Sequence, residues 1–248
     1  MNHQATARAE RLFSGPIGAE YDMLKLICPA AAAMSLRVGD FVASLPARPN
    51  RTLDLFEIGC GTGVTTQALL HSRSDLTIAA IDNEPTMLAQ AQGNLAGFLG
   101  QGRVTLFETD ALSGLRSLPA ESVDVVASAY AIHNFLDDYR SLALAEAFRV
   151  LRPGGFFVNG DRYALDDAAE HTRQTQAEAR HYFKTFAAIG RHDLLEQWII
   201  HLFSDESSEH LMRLGPALAT MQAVGFEAVE VPFREGVNAL LTAVKPAP

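Results

Sequence analysis

Three short strings in this 248-residue chain carry side chains and turns that could do chemistry. The first is Gly59-Cys60-Gly61-Thr62-Gly63, which follows the apolar run TLDLFEI and leads directly into a helical pattern. Glycine at every second position lets the backbone turn tightly and lets a ligand approach the N–H groups at the start of that helix. A nucleotide-type cofactor suits such a loop. Nineteen residues after Gly63 the next apolar run, LTIAAID, ends in Asp82, a carboxylate able to accept hydrogen bonds from both hydroxyls of a ribose. The third string, VDVVASAYAIHNF, ends a strand and delivers Tyr130 and His133, two side chains that can hold or move a proton.

These residues need a sheet to bring them together, and residues 52–160 supply the pattern of one. Short β-branched or apolar runs alternate there with longer helical segments, as in the βαβ units of a parallel sheet. The runs TLDLFEI, LTIAAID, RVTLFET, VDVVASA and GFFVNGD read as strands. Helices are expected to start near Gly63, Pro85, Gly114 and Asp137, the last stopping at LRPGG. Residues 161–215 turn mostly helical, as an insertion would. A helix over 216–224 then ends at Gly225, and AVEVPF and VNALLTAVK, joined by a short REG turn, read as an antiparallel hairpin. Before the first strand, residues 18–45 contain helical stretches broken at Pro29.

Two cofactor classes are open for such a loop, a dinucleotide and S-adenosylmethionine. A dinucleotide fingerprint asks for glycine at the first, third and sixth positions, but the sixth position here is Val64. With Glu57 two residues ahead, FEIGCGTG resembles the first motif of the class I S-adenosylmethionine-dependent methyltransferases. The resemblance continues through Asp82-Asn83 after the second strand, Asp110-Ala111 after the third, the fourth strand with its exit loop, and LRPGGFFVNGD. It is specific over residues 52–160 and architectural elsewhere.

The resemblance implies S-adenosyl-L-methionine as cofactor, S-adenosyl-L-homocysteine as product, and methyl transfer by in-line displacement to a small-molecule acceptor. It implies cofactor contacts from Glu57, Gly59, Cys60, Gly61, Asp82 and Asn83, with Asp110 and Ala111 at the adenine and Ser128 at the methionine part. Tyr21 is expected to lie over the cofactor, and Tyr130 and His133 are the catalytic candidates nearest the methyl group. The implied fold is α/β: a seven-stranded, mostly parallel sheet with helices on both faces, the last strand antiparallel, and a helical cap between strands five and six. One domain spans 1–248, made of N-terminal helices (1–50), a cofactor-binding core (51–160), the cap (161–215) and a closing helix and hairpin (216–248).

Within that class the layout is similar to the carboxy-S-adenosylmethionine synthase branch, in its N-terminal helices, its FETDA and IDNEP strings and its HYFKTF insertion. That branch holds the extra carboxylate of its cofactor with an arginine in the insertion, where this chain reads LLEQWII. Arg180 and Arg191 lie nearby in sequence, so a synthase stays an alternative to ordinary methyl transfer, as does a non-catalytic binding protein.

Composition narrows the partners. A net charge of −9 disfavours nucleic acid, and no run of lysine and arginine offsets it. Two cysteines, Cys28 and Cys60, give neither a disulfide framework nor a metal knuckle and suit a reducing, cytoplasmic address. The opening MNHQATARAERLF lacks the apolar core of a signal peptide, and no stretch is long and apolar enough for a membrane span. Oligomeric state has no signature.

Five of the eight histidines fall in the insertion, but no two share the three- or four-residue spacing of a helical metal pair, so no metal is expected. Tyr182, Phe183, Phe186 and Trp198 suit either an acceptor pocket or a core. Asp137 reads as a helix cap with Asp138 in the first turn, and the acids around Asp166 as a solvated face.

Overall fold

The computed structural model describes residue 13 and residues 15–247, so most of the opening MNHQATARAERLF segment lies outside the described residues. Short helices α1 (Pro16–Ala19) and α2 (Leu24–Ile27), separated by a 3-10 turn at Tyr21–Met23, precede the long α3 (Pro29–Ser44). Pro29 breaks the chain where expected because proline fits the first turn of a helix, where its missing N–H costs nothing.

The core then alternates: β1 (Leu53–Ile58), α4 (Val64–Ser72), β2 (Leu76–Asp82), α5 (Pro85–Asn94), α6 (Ala96–Gly100), β3 (Val104–Glu108), α7 (Ala111–Ser117), β4 (Val123–Ala129), α8 (Asp137–Val150) and β5 (Leu151–Arg162). Helices α9 (Ala168–Ala188), α10 (His192–Asp205) and α11 (Leu214–Val224) separate β5 from the hairpin β6 (Glu227–Glu235) and β7 (Asn238–Val244). The seven strands run in the order 3-2-1-4-5-7-6. Strand β7 is antiparallel to both its neighbours, and the remaining paired strands of the core are parallel. The order reverses between β1 and β4, which opens a crevice at their carboxyl ends.

Burial follows position in the sheet. Strand β4 is buried along nearly its whole length, as a central parallel strand covered on both faces must be. Strand β6 is the edge; it is half exposed, and its pairing slips between Glu230 and Phe233, around Pro232, which cannot donate to a ladder. Three apolar clusters result. One packs α7, α8 and α11 on one face of the sheet, and a second packs α3, α4 and α5 on the other. The third lies off the sheet, where Ile17 and Ile27 of the N-terminal helices meet Tyr182, Phe186, Trp198 and Leu202 of α9 and α10.

Several local expectations are corrected. Helix α7 starts at Ala111 rather than near Gly114, because the Asp110 carboxylate accepts from the Ser113 N–H at 2.9 Å and caps it. Helix α8 stops at Val150, directly before LRPGG as expected, but the strand that follows is longer than GFFVNGD: Leu151–Arg162 is one strand with Gly154 at φ 72° inside it. Helix α11 begins at Leu214, two residues before Pro216. The cap position of α8 is Leu136; Asp137 and Asp138 both sit in the first turn, where they meet the positive end of the helix dipole. Of the four cap aromatics, Tyr182, Phe186 and Trp198 are core residues and Phe183 is exposed.

Candidate functional site

A cleft of about 1040 Å³, its open mouth included, lies at the carboxyl ends of β1, β2 and β4. Its floor is the loop from Gly59 to Thr62. Gly59 has φ +69°, and a Cβ there would stand 2.3 Å from the Cβ of Ala131. The β1 exit can therefore pass the β4 exit only as glycine. The following helix, α4, begins at a left-handed Gly63 with no side-chain cap, so its first N–H groups have no side-chain acceptor from that position.

Asp82, at the end of β2, lines the cleft and braces its floor. Its Oδ2 accepts from the Gly61 N–H at 2.8 Å and its Oδ1 from the Glu84 N–H at 3.0 Å. The Asn83 N–H bonds this carboxylate as well, and since its two oxygens offer about four lone-pair directions between them, acceptor capacity is left for a ligand hydroxyl. Burial raises the Asp82 pKa above the usual carboxylate range, against the opposing pull of those backbone bonds.

Of the residues implied by the sequence, Tyr21, Gly59, Cys60, Gly61, Asp82, Asn83, Ala111 and Tyr130 line this cleft. Glu57, Ser128 and His133 are buried and do not line it, and Asp110 lies in sequence between the lining residues Thr109 and Ala111 without lining it. Glu57 is fully buried, accepts from Thr66 Oγ1 at 2.7 Å, and its pKa is pushed up to about 8, chiefly by burial. Ser128 donates to the Ile58 carbonyl at 3.0 Å and so ties β4 to β1. Asp110 caps α7 and also accepts from the Tyr139 hydroxyl at 2.8 Å. Cys60 is buried and its thiol pKa is pushed well up by burial, which makes it a packed rather than a reactive residue.

Sequence reasoning missed several lining groups. Ser35 of α3 reaches the cleft and shares a 2.8 Å hydrogen bond with Thr65 of α4. Thr62 and Asn134 also line it, and Thr62 Oγ1 and Asn134 Oδ1 are buried without a hydrogen-bond partner among the described residues. Nothing in the spacing of Ser35 marks it, whereas Thr62 and Asn134 lie inside strings that stand out on other grounds. None of the described lining residues is a lysine or an arginine.

The two proton-handling candidates diverge. Tyr130 has φ 52°, an uncommon conformation for a bulky residue, held by its N–H bond to Gly160 O at 3.0 Å. Its hydroxyl donates to Asn238 Oδ1, and burial raises its pKa, so it is a neutral phenol at the wall of the cleft. His133 is buried behind that wall. Its Nδ1 is 2.5 Å from Asp161 Oδ1 and its Nε2 faces the cap helix α10, 4.0 Å from Asp205 Oδ2. Burial lowers its pKa, but the charges of Asp161 and Asp205 outweigh that and leave it raised.

Comparison with known proteins bears on this geometry. Residues 56–159 match the family model described as a methyltransferase domain. A carboxy-S-adenosyl-L-methionine synthase of Shewanella sp. (strain MR-7) is 26% identical over 149 residues, 59% of this chain and 58% of that protein. A malonyl-[acyl-carrier protein] O-methyltransferase of Hahella chejuensis is 35% identical over 142 residues, 56% of this chain and 44% of that protein. The match therefore spans somewhat over half the length of the first of these relatives. Among solved structures, a possible histamine N-methyltransferase from Thermotoga maritima superposes with a TM-score of 0.60 at 18% identity, covering 96% of this chain and 99% of its own.

Proposed function

We propose, from the match of residues 56–159 to a methyltransferase-domain model, that the chain is a class I S-adenosylmethionine-dependent enzyme that transfers a methyl group to a small-molecule acceptor. The observation that carries this reading is Asp82, which lines the cleft while its Oδ2 braces the glycine floor through the Gly61 N–H and its Oδ1 holds the Glu84 N–H.

The residues present suit the cofactor. Gly59 and Gly61 leave the floor free of side chains, Asp82 provides acceptors for ribose hydroxyls, and Asn83 and Ala111 flank the same end of the cleft. When bound, S-adenosylmethionine supplies a methyl group already activated on a sulfonium. This chain then has to orient the acceptor in line and keep water out, and such alignment can supply roughly 7–11 kcal/mol of the barrier. Tyr21, Tyr130 and Phe135 wall the site with aromatic surface. Tyr130 contributes the ring of a neutral phenol to that wall, with its hydroxyl already bonded to Asn238 Oδ1.

Ordinary methyl transfer is preferred to a carboxylated cofactor because the insertion reads LLEQWII where the synthase branch has its arginine, and Arg191 is held by Glu20 and Asp193 at the surface, outside the described cleft lining.

Titration calorimetry tests the reading. The protein is expected to bind S-adenosylmethionine and its demethylated product but not NAD, and Asp82→Ala to weaken the former about a hundredfold, since bonds to a charged group are worth roughly 1.5–3 kcal/mol each. Unchanged affinity in Asp82→Ala, or binding of NAD alone, would overturn it.

A further inference from the structure

We infer that His133, His201 and Asp205 form a binding site for one divalent transition-metal ion, which fastens the cap helix α10 to the sheet. One donor atom from each residue lies within 4.8 Å of the other two. Small side-chain rotations close that span to the roughly 3.4 Å separating donors held about 2.1 Å from a single zinc ion.

The three side chains come from two parts of the fold. His133 sits in the 3-10 turn Ile132–Asn134 after β4, whereas His201 and Asp205 stand one turn apart on α10 and so face the same way. All three are nine-tenths or more buried. Two of their polar atoms, His201 Nδ1 and Asp205 Oδ1, have no hydrogen-bond partner among the described residues. His201 Nε2 stands 3.7 Å from Asp205 Oδ1, beyond hydrogen-bond reach, and a buried imidazole and a buried carboxylate left partly unsatisfied in this way are an unusual pairing that a cation between them would relieve.

Support around the site fits a metal. Asp161, with no exposed surface, bonds His133 Nδ1 at 2.5 Å and accepts from Asn159 Nδ2 at 3.2 Å, fixing the ring so that Nε2 points to α10. A carboxylate behind a histidine in this way orients it as a ligand and strengthens it as a donor. The charged and titratable neighbours are Asp161 behind His133, Arg162 with Nε 3.9 Å from Asp205 Oδ2, and His210.

Two imidazole nitrogens and one carboxylate oxygen suit borderline ions such as Zn²⁺ or Co²⁺ rather than Mg²⁺ or Ca²⁺, which take oxygen ligands. None of the three residues lines the glycine-floored cleft, although the rings of His201 and His133 pack against its lining residues Phe13 and Tyr130.

Full-length protein equilibrated with Zn²⁺ and then desalted is expected to retain about one zinc per chain by elemental analysis, and Co²⁺ in its place to give visible d–d absorption from nitrogen and oxygen ligands. His201→Ala and Asp205→Asn should each lose at least nine-tenths of the retained metal while keeping the far-ultraviolet spectrum of a folded chain. Asp205→Asn preserves shape and carries the comparison if His201→Ala does not fold. Failure of the wild-type protein to retain either ion, or equal retention by a folded variant, would overturn the assignment.

Discussion

At the scale of single residues, Glu57 shows most directly how the cleft constrains stability. Its carboxyl is fully buried behind the glycine floor with Oε1 unpartnered, and its pKa is raised to about 8, mainly by burial. Below about pH 4.5 both folded and unfolded chains carry the proton, and Glu57 imposes no cost. Between there and about pH 8 the unfolded chain releases a proton the folded chain keeps, so stability declines as pH rises. Glutamine at this position has nothing to release. Glu57→Gln is therefore expected to gain on the wild type by roughly 2 kcal/mol or more between pH 5 and pH 8 in urea melts, since each tenfold change in proton affinity is worth about 1.4 kcal/mol. An equal difference at both pH values would refute the raised pKa. Gly59 gives a second expectation at this scale. With only 2.3 Å to the Ala131 Cβ, Gly59→Ala must push the β1 and β4 exits apart, and cofactor affinity should fall at least tenfold by calorimetry. The glycine floor and Asp82 were legible in sequence because their function needs special backbone or a charge at a strand end. Ser35 and Asn134 were not, since an ordinary polar residue becomes part of a site only through its neighbours.

The elements were legible to the extent that each has its own period or punctuation. Strands β2 and β4 matched their apolar runs end to end; β4 is buried on both faces and writes itself as a continuous run, whereas β2 leaves Thr77 exposed and is still legible from its apolar residues. Boundaries shifted where a side chain overrode composition. Asp110 starts α7 earlier than Gly114 would, and β5 runs straight through Pro153-Gly154-Gly155 because the start of that strand pairs only loosely with β4. What holds the amino ends of β1 and β4 together is equally local in effect but long-range in sequence. Asp124, fully buried at the start of β4, accepts from Arg48 at 3.1 Å, Arg51 at 2.5 and 2.7 Å, Arg152 at 2.9 Å and the Asp54 N–H at 3.0 Å. Burial alone would raise its pKa, but these bonds win and hold it below the usual range. Its contribution is thus full above the unfolded value near 4 and is lost as pH falls through the lowered one. Asp124→Asn is expected to cost about 3 kcal/mol at pH 7 in thermal or urea melts, with the gap to wild type closing toward pH 2. A gap that stays constant on acidification would show that the carboxylate charge is not what matters.

At the scale of the whole molecule, the central question is how a helical insertion with its own apolar cluster is attached to the sheet. The cluster built by Ile17, Ile27, Tyr182, Phe186, Trp198 and Leu202 joins α9 and α10 to the N-terminal helices rather than to the strands. Attachment to the sheet falls instead to polar groups at the ends of β4 and β5, and this is the part sequence could not reveal: counting histidine spacings within the insertion overlooks a His133 arriving from elsewhere and an Asp205 four residues after His201. Arg162, the last residue of β5, is the strongest of these attachments. Its guanidinium is 2.8 Å from both Glu178 oxygens on α9 and 2.8 Å from Glu206 at the end of α10, with Nε 3.9 Å from Asp205. The side chain is nearly buried and its pKa is raised by these carboxylates despite the burial that opposes it. Removing one partner of a buried ionic network leaves the others uncompensated, at a cost of about 3–5 kcal/mol. In Arg162→Ala that cost falls on the cap. Strands β1 to β4 keep every hydrogen bond they make with one another, whereas Glu178 and Glu206 must move toward water. Hydrogen exchange is therefore expected to accelerate at least tenfold in α9 and α10 and to remain within twofold of wild type in β1 and β4, with S-adenosylmethionine affinity less affected than by Asp82→Ala. Uniform acceleration across sheet and cap would mean that the two unfold as one cooperative unit and that Arg162 supports the entire fold rather than the seat of the cap.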